Sequence, residues 1–471
     1  MFRSIFLILS GNVFRAVILM VRNIIIARLI SVADYGIAST FMLAMSIVEM
    51  MSALGLQQQM VQAKNGNDPH LQAALQGFQV MRACSNSIIL FLLGAPLAKF
   101  FGHPDLAWAY QMVALIPMMN GLMHFDQHRM SRQMNYWPSF IISVAPALVS
   151  VAIVWPIYKM VGDFRVMLFA LIAQTFLQTM ATHLVAKRAY KLSFDREIIS
   201  SSLRFGWPLL LNGILMFAIF NGDRMIVGRE LGMKELGLFS MAFSLSLTPT
   251  LVIARSVMNF FLPQLSATAE DSDKFQHLSS ATFEAHLFFG NALIVGIALF
   301  GGPFLHFTLG EKYVAAIPLL TWLAMMQGLR IFKGGSSTVA LAKAHTANAM
   351  LGNITRVAAL PVAWYVLVRG GSLIEMVWIG LAAEFAGFAL GLWLALYRLN
   401  LSSRPLWPTL AMSAILFVVA GMHAQAQYHS TGWMPDLRSG AALVILLALS
   451  VLAMRDLRIY VAKRQLARHV E

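Results

Sequence analysis

The stretch Asn23-Ile24-Ile25-Ile26-Ala27-Arg28-Leu29-Ile30-Ser31-Val32-Ala33-Asp34-Tyr35-Gly36 joins two long apolar segments, and the chain carries a second version of it. That version reads Arg224-Met225-Ile226-Val227-Gly228-Arg229-Glu230-Leu231-Gly232-Met233-Lys234-Glu235-Leu236-Gly237. At an offset of 201 positions, Arg28 meets Arg229, Asp34 meets Glu235, Gly36 meets Gly237 and Ser39 meets Ser240. An internal repeat of this length, built from apolar spans, is the organisation of a membrane transporter, in which cargo crosses between two related halves.

Composition points the same way. Of 471 residues, 58% are hydrophobic and 12% charged, a balance no soluble fold of this size could bury. Lys and Arg number 35 against 21 Asp and Glu, a net charge of +14. In a soluble protein that excess would suggest nucleic acid. Here it follows from basic residues collecting in loops on the inner side of a membrane, so no nucleic-acid partner is expected. Cys84 is the only cysteine; it is read as a small buried side chain, and neither a metal site nor a cofactor is expected. The N-terminus lacks the pattern of a cleavable signal, because Arg15 and Arg22 interrupt its apolar run.

With about 20 apolar residues needed per crossing, the expected spans are 5–27, 36–60, 76–98, 106–126, 138–158, 166–186, 206–228, 237–261, 285–308, 315–335, 347–367, 374–396, 408–424 and 439–455. The fold expected is therefore an all-α polytopic membrane protein of about fourteen transmembrane helices. Residues 1–186 and 205–397 form two six-helix lobes, and 398–471 adds two helices and a basic tail. Six is even, so both lobes enter the membrane the same way round, related by a pseudo-two-fold axis along its normal. The basic segment 187–204 is read as an amphipathic surface helix linking the lobes, with 263–283 as a second one. Segments on the side of the N-terminus, including 330–343, carry about 21 Lys and Arg against about 10 on the other, which places both termini in the cytoplasm. The turns near Gly36, Gly237 and Gly371 are the least certain boundaries. Short loops leave no room for a soluble catalytic domain, so an enzyme is not expected.

The residues able to carry chemistry are charges inside the spans. Asn12, Arg15 and Arg22 share one face of the first helix. A guanidinium at mid-membrane costs about 3 kcal/mol, so such residues face either an aqueous cavity or a structural partner. An anion-binding stripe and a structural ion pair both fit. Arg suits phosphate because its planar fork donates two parallel hydrogen bonds. Arg82, Arg255 and Arg356 are further candidates, with Arg82 and Arg255 equally able to reach the headgroups. Asn212 and Asn221, with Asp223, make the seventh span a polar partner of the first. Glu49, Asp223 and Glu384 are the acids within spans; Glu49 and Asp223 are candidates for proton or sodium coupling, or for neutralising an Arg.

Taken in order, several motifs resemble the polysaccharide transporter family, the O-antigen and exopolysaccharide flippases of the multidrug/oligosaccharidyl-lipid/polysaccharide superfamily. They are Ile26-Ala27-Arg28-Leu29-Ile30-Ser31 through Asp34-Tyr35-Gly36, Gly55-Leu56, Arg132-Gln133-Met134-Asn135-Tyr136, Asp223-Arg224-Met225-Ile226-Val227-Gly228 through Ser240, Pro263, and Leu309-Gly310-Glu311-Lys312-Tyr313. The resemblance covers about residues 1–400 and, more loosely, the last two helices. It implies a V-shaped protein of the bacterial inner membrane that moves an undecaprenyl-diphosphate-linked oligosaccharide to the periplasmic leaflet by alternating access. Membrane lipids, a polysaccharide polymerase and chain-length proteins are the implied partners. Related lipid II flippases hold the diphosphate with cationic cavity residues of the first helix, which Arg15 and Arg22 match by position. The alternatives are a multidrug exporter of the same superfamily, disfavoured because buried Arg outnumbers buried acid, and a membrane polymerase or ligase, disfavoured by the short loops. A major-facilitator carrier would have twelve helices and a different loop after the second.

Overall fold

The computed structural model describes the backbone of residues 2–51, 54–429 and 432–470, and the side chains of 14–50, 54–207, 209–429 and 432–464. Every regular element among them is helical. In chain order the first helices are α1 (Phe2–Leu29), α2 (Val32–Met51), α3 (Leu56–Gln62), α4 (Pro69–Phe100), α5 (Ala107–Val113), α6 (Leu115–Gly121), α7 (Asp126–Arg132), α8 (Trp137–Ala152), α9 (Val154–Val161), α10 (Arg165–Val185) and α11 (Arg196–Glu230). There follow α12 (Met233–Ala267), α13 (Ser272–Leu309), α14 (Ile317–Ala342), α15 (Ala347–Val368), α16 (Leu373–Arg398), α17 (Trp407–His429), α18 (Leu437–Ala453) and α19 (Arg455–Val470).

Among the described residues, eleven helices are long and apolar enough to cross a membrane, thirteen if two bent pairs each count as one span. These thirteen coincide with the expected spans from 36–60 onward. The first expected span, 5–27, falls on α1, whose side chains are described only from Phe14. Two supposed surface helices do not form as separate elements. Residues 187–195 are irregular, and Asp195 caps a continuous α11 by accepting the Glu197 and Ile198 N–H groups at 2.9 and 3.1 Å. Segment 263–283 is the end of α12, a short turn and the start of α13. Segment 330–343 is not a loop either: Arg330 and Lys333 lie inside α14. The turns of the repeat precede Gly36 and Gly237, which lie in the first turns of α2 and α12. Left-handed backbone falls at Gly232 and at Gly370 rather than Gly371.

The chain divides into two compact units, Met1–Gly237 and Leu238–Glu471. The expected lobe boundary near 187–204 thus lies within the first unit, which includes all of α11. Small residues explain this. A Cβ on Gly213 would overlap the Met50 carbonyl oxygen, and one on Gly206 would lie 2.5 Å from that of Leu54, so α11 lies tightly along the end of α2. The core of the first unit gathers Leu54, Leu56, Met60, Leu71, Leu75, Phe78 and Phe125. The second unit has several core clusters, one around Ile294, Val295, Ala298, Met325, Leu416, Ala420 and Leu443 and another around Val257, Phe261, Leu265, Phe275 and Phe283.

Candidate functional site: a cationic, amide-lined cavity

A break in one span shapes the site. Between α6 and α7 the chain bends by 50°, which frees backbone N–H groups that lipid could not satisfy. Side chains take them. Phe125 N–H donates to Gln76 Oε1 at 3.2 Å and His124 N–H to Thr182 Oγ1 at 3.0 Å. Asp126 N–H donates to His124 Nδ1 at 3.1 Å. The buried Asp126 carboxylate accepts from Arg129 at 2.5 Å and from the Lys187 N–H at 2.8 Å. Gly121 lets α6 approach α4, since a Cβ there would overlap that of Ala83.

Beside this break the first unit holds a partly open cavity of about 550 Å³. Its charged lining is Arg15 of α1, Glu49 of α2 and Arg82 of α4, and the His128 imidazole of α7 also faces it. Neutral polar groups fill much of the remainder: Gln79, Asn86, Asn120, Gln127, Gln178 and Asn212. Gln79 Nε2 donates to the Asn120 carbonyl at 2.9 Å, and Asn120 Nδ2 donates to Glu49 Oε1 at 2.8 Å. Glu49 lies within electrostatic reach of both Arg15 and Arg82. Two guanidinium groups therefore share one carboxylate, and the cavity keeps a net positive charge. Left-handed Gly55, at a φ of 66°, turns the chain into α3 at the cavity wall.

The cavity brings together Arg15, Arg82, Asn212 and Glu49 of the sequence-derived candidates. The others stand apart from it. Arg22 is 3% exposed and donates to Gln174 and Asn23. Asp223 is buried outside the cavity lining, and Arg255 is exposed on α12. The Asn12 side chain lies outside the described residues. Cys84 is half-buried, not buried, against Met118.

Arg356 belongs to a buried cluster in the second unit. Glu384, 0% exposed, accepts from Arg330 Nε at 2.6 Å and Lys333 Nζ at 2.9 Å, with Arg356 Nε at 3.8 Å. With both its oxygens engaged, Glu384 acts as the structural centre that holds α14, α15 and α16 together. Sequence reading missed Arg330 and Lys333 as members because charges near a span end look like loop charges. Apart from Asn212, the cavity amides escaped notice for the opposite reason: neutral Asn and Gln carry no burial penalty large enough to stand out. The run Gln57-Gln58-Gln59 inside the expected span 36–60 was the available signal.

A sequence profile of the family described as "Polysaccharide biosynthesis protein" matches residues 25–318, more than half of the chain. The chain belongs to this family. It is similar to the teichuronic acid biosynthesis protein TuaB of Bacillus subtilis, 22% identical over 365 residues and 74% of each chain. It is also similar to the succinoglycan biosynthesis transport protein ExoT of Rhizobium meliloti, 21% identical over 83% of this chain and 81% of that one. Among solved structures, the lipid II flippase MurJ in an inward closed conformation aligns over 98% of this chain and 99% of its own, with a TM-score of 0.68 and 15% identity. A multidrug resistance MATE family transporter of the MOP superfamily, in an inward-facing conformation, aligns over 84% of this chain and 98% of its own, with a TM-score of 0.64 and 14% identity. The fold is that of these transporters.

Proposed function

We propose that this protein moves an undecaprenyl-diphosphate-linked oligosaccharide across the bacterial inner membrane by alternating access, both termini lying in the cytoplasm. The observation that carries this reading is the cavity of the first unit, where Arg15 and Arg82 face a space of about 550 Å³ edged by amides. Guanidinium groups suit the diphosphate, with forked donors and a charge that survives partial desolvation. Asn and Gln suit sugar hydroxyls, being able both to donate and to accept. Glu49 keeps the guanidinium groups positioned and their net charge modest, so that the anion can leave as well as enter. No bond is made or broken in this cycle, so we propose a carrier and not an enzyme.

The competing reading, an exporter of organic cations, fits the same cavity poorly, because its cations outnumber its carboxylates. The test is reconstitution. Purified protein in vesicles carrying a polyprenyl-diphosphate oligosaccharide on the inner leaflet should render the sugar accessible to an external glycosidase. If sugar exposure does not exceed that of protein-free vesicles while a cationic dye is expelled, the exporter reading replaces this one.

A further inference from the structure

The second unit carries an apolar groove of about 620 Å³ between α12, α13 and α19. Its walls include Val257, Phe260, Phe261, Phe288 and Tyr460, and its charged member is Arg464. The groove is held by polar anchors. The N-terminal turn of α19 is seized by Glu284, whose Oε2 accepts the Leu457 N–H at 2.7 Å. Asp456 meets His277 Nδ1 at 3.2 Å, and Tyr460 Oη donates to Gln264 Oε1 at 2.5 Å. Between α18 and α19 the chain bends by 69°, the course of a helix that leaves a bilayer and runs along its surface.

We propose that this groove is a binding site for an anionic phospholipid, its acyl chain lying along the Phe260, Phe261 and Phe288 rings and its phosphate against Arg464. The occupant follows from the chemistry of the two ends. An apolar groove within a bilayer offers no hydrophobic gain to a docking protein helix, because lipid already solvates it, whereas an acyl chain fills it without loss. The charged end selects the headgroup. The Arg464 guanidinium lies 4.7 Å over the Phe260 ring and donates one bond to Tyr460 Oη at 3.0 Å. The guanidinium has five N–H donors in all, so it is fixed in place with donors to spare for phosphate oxygens. Arg455, Arg458 and Lys463 add positive charge along α19, opposed among its described side chains by Asp456 alone, which already faces His277. A basic helix of this kind attracts anionic lipid. This site is separate from the cavity of the first unit and is tested without any transport.

The experiment uses the full-length protein, delipidated in detergent and then offered equal amounts of phosphatidylglycerol and phosphatidylethanolamine with identical acyl chains. Lipid retained after gel filtration is quantified. Wild-type protein should retain the anionic lipid about fivefold over the zwitterionic one. Arg464→Glu should bring that ratio close to one, and Arg464→Lys should keep most of it. Ser256→Trp, which fills the groove from an exposed position on α12, should lower retention of both lipids. Equal retention of the two lipids by wild-type protein overturns the proposal, as does an Arg464→Glu protein of unchanged elution profile and unchanged preference. Undecaprenyl phosphate displacing phosphatidylglycerol at equimolar concentration would assign the groove to a polyprenyl chain and also overturn it.

Discussion

Gly36 and Gly237, equivalent positions of the sequence repeat, pack reciprocally within the first unit. A Cβ on Gly36 would overlap the carbonyl oxygen of Met233, and one on Gly237 would overlap that of Val32 and come within 3.2 Å of the Gly36 nitrogen. Val32 and Met233 are themselves equivalent at the 201-residue offset. Each copy of the motif therefore receives the other by the same contact, the reciprocity of an isologous interface. This is the physical reason for glycine at both positions: the start of α2 crosses the start of α12 at backbone contact.

Alanine at either position should destabilise the protein by about 1–3 kcal/mol through overpacking. Gly296→Ala, at a helical site with open space around the added methyl, is the control and should be neutral or slightly stabilising. Thermal unfolding midpoints in detergent check this. A Gly36→Ala or Gly237→Ala protein as stable as Gly296→Ala would remove the close crossing.

The Glu384 cluster makes a second prediction. Removing the carboxylate takes from Arg330, Lys333 and Arg356 the anion they share, at a cost of about 3–5 kcal/mol. Glu384→Ala should therefore be recovered poorly from membranes. Adding Lys333→Met should restore part of the yield, because it removes one of the stranded charges. Equal yields for single and double variants would show that the charges are not coupled.

The span pattern and the mid-span charges were legible in the sequence because lipid imposes them directly. Arg15, Arg82 and Glu49 stood out since a charge in hydrocarbon needs a reason. The cavity's Gln79, Asn120 and Gln178 did not, because amides are tolerated at many packed positions. The placement of α11 with the first unit was not legible either. It depends on Gly206 and Gly213 meeting particular carbonyls, a tertiary fit that a hydropathy pattern does not contain. The motif glycines were read as turn residues, whereas their role is close helix crossing.

Membrane orientation can be checked directly. Reporter fusions at His70, Arg188 and Glu471 should report the cytoplasm, and fusions at Asp34, Gly371 and Ser430 the periplasm, following the bias of basic residues. A periplasmic report at Glu471 would contradict this assignment.

Glu49 separates two ways of driving the cycle. An inside-negative potential favours outward movement of an anion by about 2.3 kcal/mol per charge per 100 mV, and Glu49 is already engaged by Asn120 and the two cavity arginines. Glu49→Gln should therefore slow transport in vesicles, through slower release of the anion, but not abolish it under an imposed potential. Loss of transport at full potential, in a well-folded protein, would assign Glu49 to ion coupling.

The most direct test of the account compares three arginines in the vesicle assay for lipid-linked oligosaccharide. Arg15 and Arg82 face the cavity, whereas Arg22 is buried against Gln174. Arg15→Ala and Arg82→Ala should each lower transport by at least about tenfold at normal yield, the loss of one charge-assisted contact of roughly 1.5–3 kcal/mol, and Lys should restore part of it. Arg22→Ala should act on yield and thermal stability instead, with transport per folded molecule largely kept. Normal transport by both Arg15→Ala and Arg82→Ala would contradict the assignment of this cavity as the cargo site.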